Sequence, residues 1–153
     1  MIRFATISDV PTILHFIREL ARYEELEHEM MATENDLQMT LFGENPQAEV
    51  ILRFENLVPV GFALFFSNYS TFLGKAGIHL EDLFVLTKHR GKGHGKALLN
   101  HLRELAHTRG AGRLEWNVLD WNTPAIEFYQ AIGAKPVSGW TTFRIREDDL
   151  IPK

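Results

Sequence analysis

Apolar residues along the chain follow two different periods, and the change between them predicts the order of helices and strands. Helical spacing predicts four helices, over Ser8–Tyr23, Thr33–Gly43, Ala97–Thr108 and Asn122–Gly133. Runs rich in β-branched and aromatic residues predict strands over Ile2–Ala5, Glu49–Phe54, Val58–Phe66, His79–Leu86, Arg113–Leu119 and Thr141–Arg146. The resulting order, βααβββαβαβ, is typical of an α/β fold in which helices pack on a mixed sheet.

Turn and cap residues support these boundaries. Pro11 and Pro124 each stand in the first turn of a predicted helix, where proline is tolerated because its missing N–H has no partner there anyway. The three residues 55–57 between two strand-like runs indicate an antiparallel hairpin. Residues 67–77, rich in Ser, Gly and aromatics, are expected to form a loop.

Length and composition narrow the function classes. The 153 residues fit one domain, 1–153, without repeats or linkers. The chain has no cysteine, which excludes disulfides, thiolate metal sites and a cysteine nucleophile and favours a cytoplasmic location. We also expect no membrane segment, because no apolar run approaches the length of a span. The seven histidines lack metal-site spacing, so no metal is predicted, and the basic residues form no nucleic-acid-binding stripe.

The most informative segment is the glycine-rich turn Arg90–Lys96, which lies between a predicted strand and a predicted helix. Glycine has no side chain to keep a diphosphate from the backbone, and amides at a helix N-terminus form an anion-binding cradle. Arg90, Lys92 and Lys96 add positive charge. The turn therefore predicts a diphosphate site, although glycines that serve only turn geometry are the alternative.

Two other phosphate-binding motifs do not fit this turn. A Walker A loop needs four residues between its glycines and then Lys-Ser/Thr, whereas Gly91 and Gly95 are separated by three and Ala97 follows Lys96. A dinucleotide fingerprint needs Gly-x-Gly-x-x-Gly, and Lys96 occupies the position of the last glycine.

The stretch Arg90–Gly95 resembles the Arg/Gln-x-x-Gly-x-Gly/Ala pyrophosphate loop of the GNAT acetyltransferases. About thirty residues later, Asn122–Tyr129 followed by Gly133-Ala134 resembles the second motif of that family. The resemblance covers nearly the whole chain. Two shorter stretches, Ala21–Glu24 and His79–Val85, together with Trp121-Asn122, are similar to the diamine (spermidine/spermine) acetyltransferase branch.

The resemblance implies a mostly antiparallel sheet with helices on both faces, acetyl-CoA as cosubstrate and a homodimer. It implies direct transfer of the acetyl group to a primary amine of a small cationic acceptor, which is a diamine, a polyamine or a thialysine-like amine. The implied cofactor-binding residues are Leu83, Phe84, Val85, Arg90, Gly91, Lys92, Gly93, His94, Gly95, Lys96, Asn122, Pro124, Ala125 and Tyr129.

Two residues are implied in catalysis. Glu81 is the candidate base, acting through water, and Tyr129 is the candidate general acid toward the CoA sulfur. The alternatives are an ion-paired strand residue at Glu81 and an aromatic packed beside Phe128 at Tyr129. Strand alternation predicts that Glu81 and Asp82 point to opposite faces, so we do not expect one carboxylate pair.

The candidate acceptor site combines carboxylates with aromatic residues, which suits an alkylammonium ion. It is predicted to include Tyr23, Glu24, Glu81, Asp82, Glu115, Trp116 and Asn117. Residues 115–117 and the short segment 136–139 differ from the polyamine enzymes, which leaves lysine-like amines and short diamines as equal candidates. The other hypotheses are an acceptor amine on an amino acid, an antibiotic or a protein, a non-catalytic acetyl-CoA-binding module, and a generic phosphate-binding domain.

Overall fold

The computed structural model describes residues 1–151, and the chain divides into two compact units, Met1–Asn117 and Val118–Lys153. In the first unit the strands are β1 (Ile2–Phe4), β2 (Glu49–Glu55), β3 (Val58–Ser70), β4 (Lys75–Val85) and β5 (Leu114–Trp116). Its helices are α1 (Val10–Tyr23), α2 (Glu34–Phe42) and α3 (His94–Thr108). The second unit contains α4 (Thr123–Ala131). Short 3-10 turns occupy Ile7–Asp9, Glu27–Glu29, Thr87–His89 and Glu147–Asp149.

The five strands of the first unit form one sheet in the order β1-β2-β3-β4-β5. Every neighbouring pair is antiparallel except β4 and β5, which run parallel over Ile78–Leu80. The predicted mixed, mostly antiparallel sheet is therefore confirmed. Within the described residues no helix is long and apolar enough to cross a membrane.

Both faces of this sheet are covered by helices, as predicted. On one face Phe16 of α1 stacks on Phe62 of β3, with ring centroids 5.4 Å apart, and Phe84 lies beside Phe62 across the β3–β4 pair. On the other face α3 packs against β3 and β4. The buried leucines of α3 are Leu98, Leu99 and Leu102, none of which has measurable exposure. Burial of these apolar side chains fixes the sheet between the helices.

Local signals located the start of α2 well and that of α3 less well. Thr33 caps α2, accepting from the Asp36 amide at 3.2 Å, while the Asp36 carboxylate accepts from the Thr33 amide at 2.8 Å, as the capping-box pattern predicts. Helix α3 begins at His94, three residues before the predicted start, so Gly95 and Lys96 are helical rather than part of the turn. Strand β5 is shorter than predicted and ends at Trp116.

The prediction of a loop over residues 67–77 is wrong. Strands β3 and β4 continue through most of it, with Asn68 opposite Gly77 and Ser70 opposite Lys75, and only the four residues between them form the turn. Pairing with a neighbouring strand outweighs the weak strand propensity of Ser, Asn and Gly, since that propensity depends strongly on context.

The second unit confirms the capped helix but not the last strand. Asn122 caps α4, Pro124 stands in its first turn and Gly133 follows its end with φ of 90°. Residues 141–146, predicted as a strand, belong to no helix or strand and all six are exposed. A strand requires a hydrogen-bonded neighbour, which side-chain patterning alone does not supply. The assignment of the whole chain to one domain stays a prediction.

Candidate active site

The glycine-rich turn leads directly into the N-terminus of α3. Gly91 and Gly93 have φ of 75° and 80°, the left-handed region that favours glycine, and a β-carbon at either would meet nothing within 4 Å. The first helical hydrogen bond runs from the Ala97 amide to the Gly93 carbonyl at 3.0 Å. The amides of residues 94–96 therefore lie in the first turn, where no helical acceptor precedes them. This arrangement, with the helix dipole, suits a diphosphate.

Strand β4 carries a β-bulge at Glu81. The register with β3 passes from Leu80 to Asp82, so Glu81 has no Cα partner on β3. On its other edge β4 pairs with β5 only over Ile78–Leu80 in the part of the chain that is described, which leaves the edge of residues 81–85 without a strand partner. Leu83–Val85, predicted to bind the cofactor, lies on this edge. Backbone groups of an unpaired edge can bind an extended ligand by strand addition.

Two half-buried carboxylates, Glu24 and Asp82, produce a negative potential beside this strand. Burial, then the nearby charges of Glu81 and Glu24, raise the pKa of Asp82 to about 7. Burial also raises the pKa of Glu24. Glu24 is the C-cap of α1, so the negative end of that helix dipole adds to the potential. Such a corner can bind an ammonium ion, whose charge would keep both carboxylates ionised.

Tyr23, predicted to bind the acceptor, is in contact with the glycine-rich turn. The guanidinium of Arg90 lies over the Tyr23 ring, 4.3 Å from its centroid, and 5.2 Å from that of Phe84. The Arg90 Nε also donates to the Val85 carbonyl at 2.9 Å. Arg90 therefore connects the turn to the end of α1, and a cation already occupies one face of Tyr23.

The other predicted acceptor residues of the first unit lie in a row along the sheet. Glu81 is 57% exposed at its side chain, with its carboxylate 3.7 Å from Nε2 of His79. His79 pairs with Glu115 in register, and Glu115 accepts from the Asn68 side chain at 2.7 Å. Glu115 also forms an ion pair with Arg113 at 3.2 Å, so its carboxylate already interacts with Asn68 and Arg113. Trp116 ends β5 and Asn117 follows it, exposed.

In the second unit, α4 presents the residues of the predicted second motif. The side chain of Asn122 is buried and accepts from the Ala125 amide at 3.4 Å, which is the role of a helix N-cap. Pro124 is exposed beside it and Tyr129 is half-buried, its ring 5.4 Å from that of Phe128. The structure therefore shows the structural role of Asn122, while its cofactor contact and the acid role of Tyr129 stay predictions.

The sequence did not predict a hydrogen-bonded group beside the glycine-rich turn. The carboxylate of Glu55, at the end of β2, lies 2.6 Å from Nδ1 of His89 and 3.2 Å from Nζ of Lys92. His94, only 6% exposed, has its Nε2 3.5 Å from the same carboxylate. Glu55 is separated from these residues by more than thirty positions, so no local spacing indicates the contact. The side chains of Lys92 and His94, predicted to face the cofactor, both turn toward Glu55.

Glu55, His89 and His94 are also a group of metal-ligand type, with atoms within 4.8 Å of one another. Two cations make this an unfavourable metal site. Arg53 Nε donates to Nδ1 of His94 at 3.1 Å, so in the neutral ring Nε2 carries the proton and has no lone pair for a metal. Lys92 occupies both oxygens of Glu55. The absence of a metal stays a prediction.

Comparisons with known proteins agree with this geometry. Residues 14–134 match the family model described as Acetyltransferase (GNAT) family. The chain is 36% identical to a thialysine N-epsilon-acetyltransferase of Mus musculus, covering 97% of this chain and 94% of that protein. It is 34% identical to an L-ornithine N5-acetyltransferase of Arabidopsis thaliana, covering 97% and 85%. The solved structure of an integron cassette protein from the mobile metagenome of V. cholerae superposes with a TM-score of 0.80 at 29% identity, covering 97% and 93%. The chain belongs to the GNAT acetyltransferase family and is an acetyl-CoA-dependent N-acetyltransferase.

Proposed function

We propose that the chain acetylates a primary amine of a small cationic acceptor, such as a thialysine-like amino acid or a short diamine. The observation that carries the proposal is the pair of half-buried carboxylates, Glu24 and Asp82, at the negative end of α1. Burial raises the pKa of both carboxyls, and the charges of Glu81 and Glu24 raise that of Asp82 further, so an ammonium ion between Glu24 and Asp82 would stabilise their charged forms.

The comparisons support the same class of acceptor. Thialysine and ornithine, in the names of the two relatives, are both amino acids with a primary amine at the end of a short side chain. The acceptor wall, by which we mean Tyr23, Glu24 and Asp82, would suit such a molecule, because its carboxylates attract the ammonium group. Arg90 lies over Tyr23 at the same wall and offers a cation for an acceptor carboxylate. A long polyamine would bring further positive charge toward Arg90, which disfavours it.

Acetyl transfer to such an amine requires three events. The ammonium, with a pKa of about 10, must lose a proton, the thioester oxygen must be stabilised as it gains charge, and the thiolate must be protonated. We assign the first event to Glu81 through water, with Asp82 as a second candidate because its pKa of about 7 matches a neutral-pH base. Backbone amides of Leu83–Val85 are placed to bind the pantetheine arm and the carbonyl oxygen. Tyr129 is assigned to protonate the leaving thiolate.

A turnover screen with acetyl-CoA tests the acceptor. The panel compares thialysine and ornithine with putrescine, which lacks the carboxylate, and with spermidine, which adds positive charge. We expect the highest kcat/KM for the amino-acid amines or putrescine and the lowest for spermidine. Strong turnover of spermidine, or of a protein amine alone, would contradict the proposed class.

The two candidate bases can be separated by pH–rate profiles of Glu81→Gln and Asp82→Asn. Loss of the true base lowers kcat about 100-fold and removes the acid limb of the profile. Loss of a residue that only binds the ammonium raises KM for the amine with a smaller effect on kcat. If both variants match the wild type, neither residue has the proposed role.

We also propose a homodimer. In the second unit the side chains of Trp140, Phe143 and Ile145 are 82%, 92% and 70% exposed, which is unusual for large apolar residues. A second copy is the partner that the resemblance implies. Light scattering at micromolar concentration tests this, and a monomeric mass would contradict it.

A further inference from the structure

Three cationic or proton-donating side chains in and beside the glycine-rich turn lie close to one carboxylate. His89 precedes the turn, Lys92 lies in its middle and His94 begins the helix that follows it. Glu55 contacts all three from the end of β2, at distances of 2.6, 3.2 and 3.5 Å. Glu55 therefore contacts residues immediately before the turn, in its middle and at the start of the helix that follows it.

The contacts have defined directions. An ionised carboxylate only accepts, so Nδ1 of His89 donates to Glu55, and the Lys92 ammonium donates to both oxygens. Hydrogen bonds from His89 and Lys92 hold the pKa of Glu55 below its usual range, which keeps the carboxylate charged at neutral pH. Arg53 fixes His94 from the same strand by donating to its Nδ1 at 3.1 Å. Strand β2, itself paired on both edges, thus provides a rigid support.

A carboxylate beside a diphosphate site is unfavourable on charge alone. Glu55 lowers the positive potential that the turn offers to an anion, and it engages the Lys92 ammonium that sequence reasoning assigned to the cofactor. The turn also contains two glycines in the left-handed region, whose backbone entropy must be lost before the amides converge. A group that orders the turn in advance reduces the entropy lost on binding.

We propose that Glu55 is a positioning residue for acetyl-CoA: it fixes the turn through His89 and Lys92 and so orients the backbone amides toward the diphosphate. The proposal rests on the proposed use of this turn by the cofactor. Charge alone predicts that removal of Glu55 strengthens diphosphate binding, because a negative charge is lost. The positioning role predicts the opposite, namely weaker binding.

The test measures CoA affinity by calorimetry for wild type, Glu55→Ala and Glu55→Gln. We expect Glu55→Ala to weaken CoA binding about tenfold, since charged hydrogen bonds that preorganise the turn are lost. Glu55→Gln keeps an acceptor oxygen and should recover part of the affinity. The matched control is Glu49→Ala at the other end of β2, which breaks an ion pair to Arg109 of 2.6 and 2.8 Å and should leave CoA affinity unchanged.

A second measurement separates positioning from a general structural role. S-acetylpantetheine carries the same thioester without the diphosphate, so its kcat/KM should be equal in wild type and Glu55→Ala, whereas that for acetyl-CoA falls about tenfold. Equal or tighter CoA binding by Glu55→Ala would overturn the inference, as would equal losses with both donors. If Glu55→Ala does not fold, Glu55→Gln decides, because tighter CoA binding by that variant also refutes positioning. A wild-type protein that does not bind CoA would instead refute the proposed function.

Discussion

Replacement of Asp82 by asparagine should change the pH dependence of stability in a defined direction. The pKa of this carboxyl is raised from its ordinary value of 3.8 to about 7, first by burial and then by the charges of Glu81 and Glu24. Between these two values the native state keeps a proton that the unfolded chain has released. The free energy of unfolding therefore decreases as the pH rises from about 4 to about 7.

The magnitude follows from the difference between the two pKa values. About three pH units at about 1.4 kcal/mol each give an upper limit of about 4 kcal/mol of lost stability above pH 7. Asparagine has no charge to bury, so Asp82→Asn should be more stable than wild type by up to that amount at pH 8. At pH 4, where Asp82 is protonated in the native state, the two proteins should agree within about 1 kcal/mol.

Urea unfolding followed by tryptophan fluorescence at pH 4, 5.5, 7 and 8 measures this effect. The control is Asp120→Asn, an exposed carboxylate of the second unit, whose stability should follow that of wild type at every pH. Parallel stability curves for wild type and Asp82→Asn would refute the reasoning. The same variant should bind a cationic amine less tightly above pH 7, because the wild-type carboxylate is charged there.

Three further predictions concern other parts of the chain. Gly93→Ala places a β-carbon at φ of 80°, so it should cost about 1–2 kcal/mol in urea unfolding and weaken CoA binding in calorimetry. Asp9→Asn removes the ion pair with Arg3 that, with Thr6, lowers the pKa of Asp9 to about 2. This substitution should lower the free energy of unfolding by about 2 kcal/mol above pH 4, and the difference from wild type should disappear as the pH falls through 2. Urea unfolding at a series of acid pH values measures this. Tyr129→Phe should lower kcat about 100-fold with unchanged CoA affinity, and unchanged kcat would contradict the acid role.

The parts of the fold that sequence predicted well are those set by neighbours in the chain. The caps of α2 and α4 depend on a side chain and an amide three residues apart, as at Thr33 and Asp36, and the pattern of residue types contains that information. The glycine-rich turn is similar, because the left-handed φ of Gly91 and Gly93 is a local requirement.

The features that sequence did not predict, or predicted wrongly, depend on contacts between distant segments. The Glu81 bulge arises where β3 and β4 shift register, and alternation counted along one strand cannot show it. The raised pKa of Asp82 depends first on burial and then on the charges of Glu81 and of Glu24, which is 58 positions away in the chain. The prediction of a strand at 141–146 was wrong for the same reason, because a strand forms only where a second segment pairs with it.

The contacts of Arg90 differ from those that its position in the sequence motif predicts. Its position in the turn assigns it to the diphosphate, yet its guanidinium lies over Tyr23 and its Nε binds the Val85 carbonyl, on the strand that is proposed to bind pantetheine. Arg90 therefore lies in the glycine-rich turn of the sequence, but its side chain contacts the proposed acceptor wall. Because it covers one face of Tyr23, attraction of the acceptor ammonium must come mainly from Glu24 and Asp82 rather than from that ring face. We therefore propose that acceptor selectivity depends on the placement of these two carboxylates, so that a neutral residue at either position should affect cationic acceptors more than acetyl-CoA.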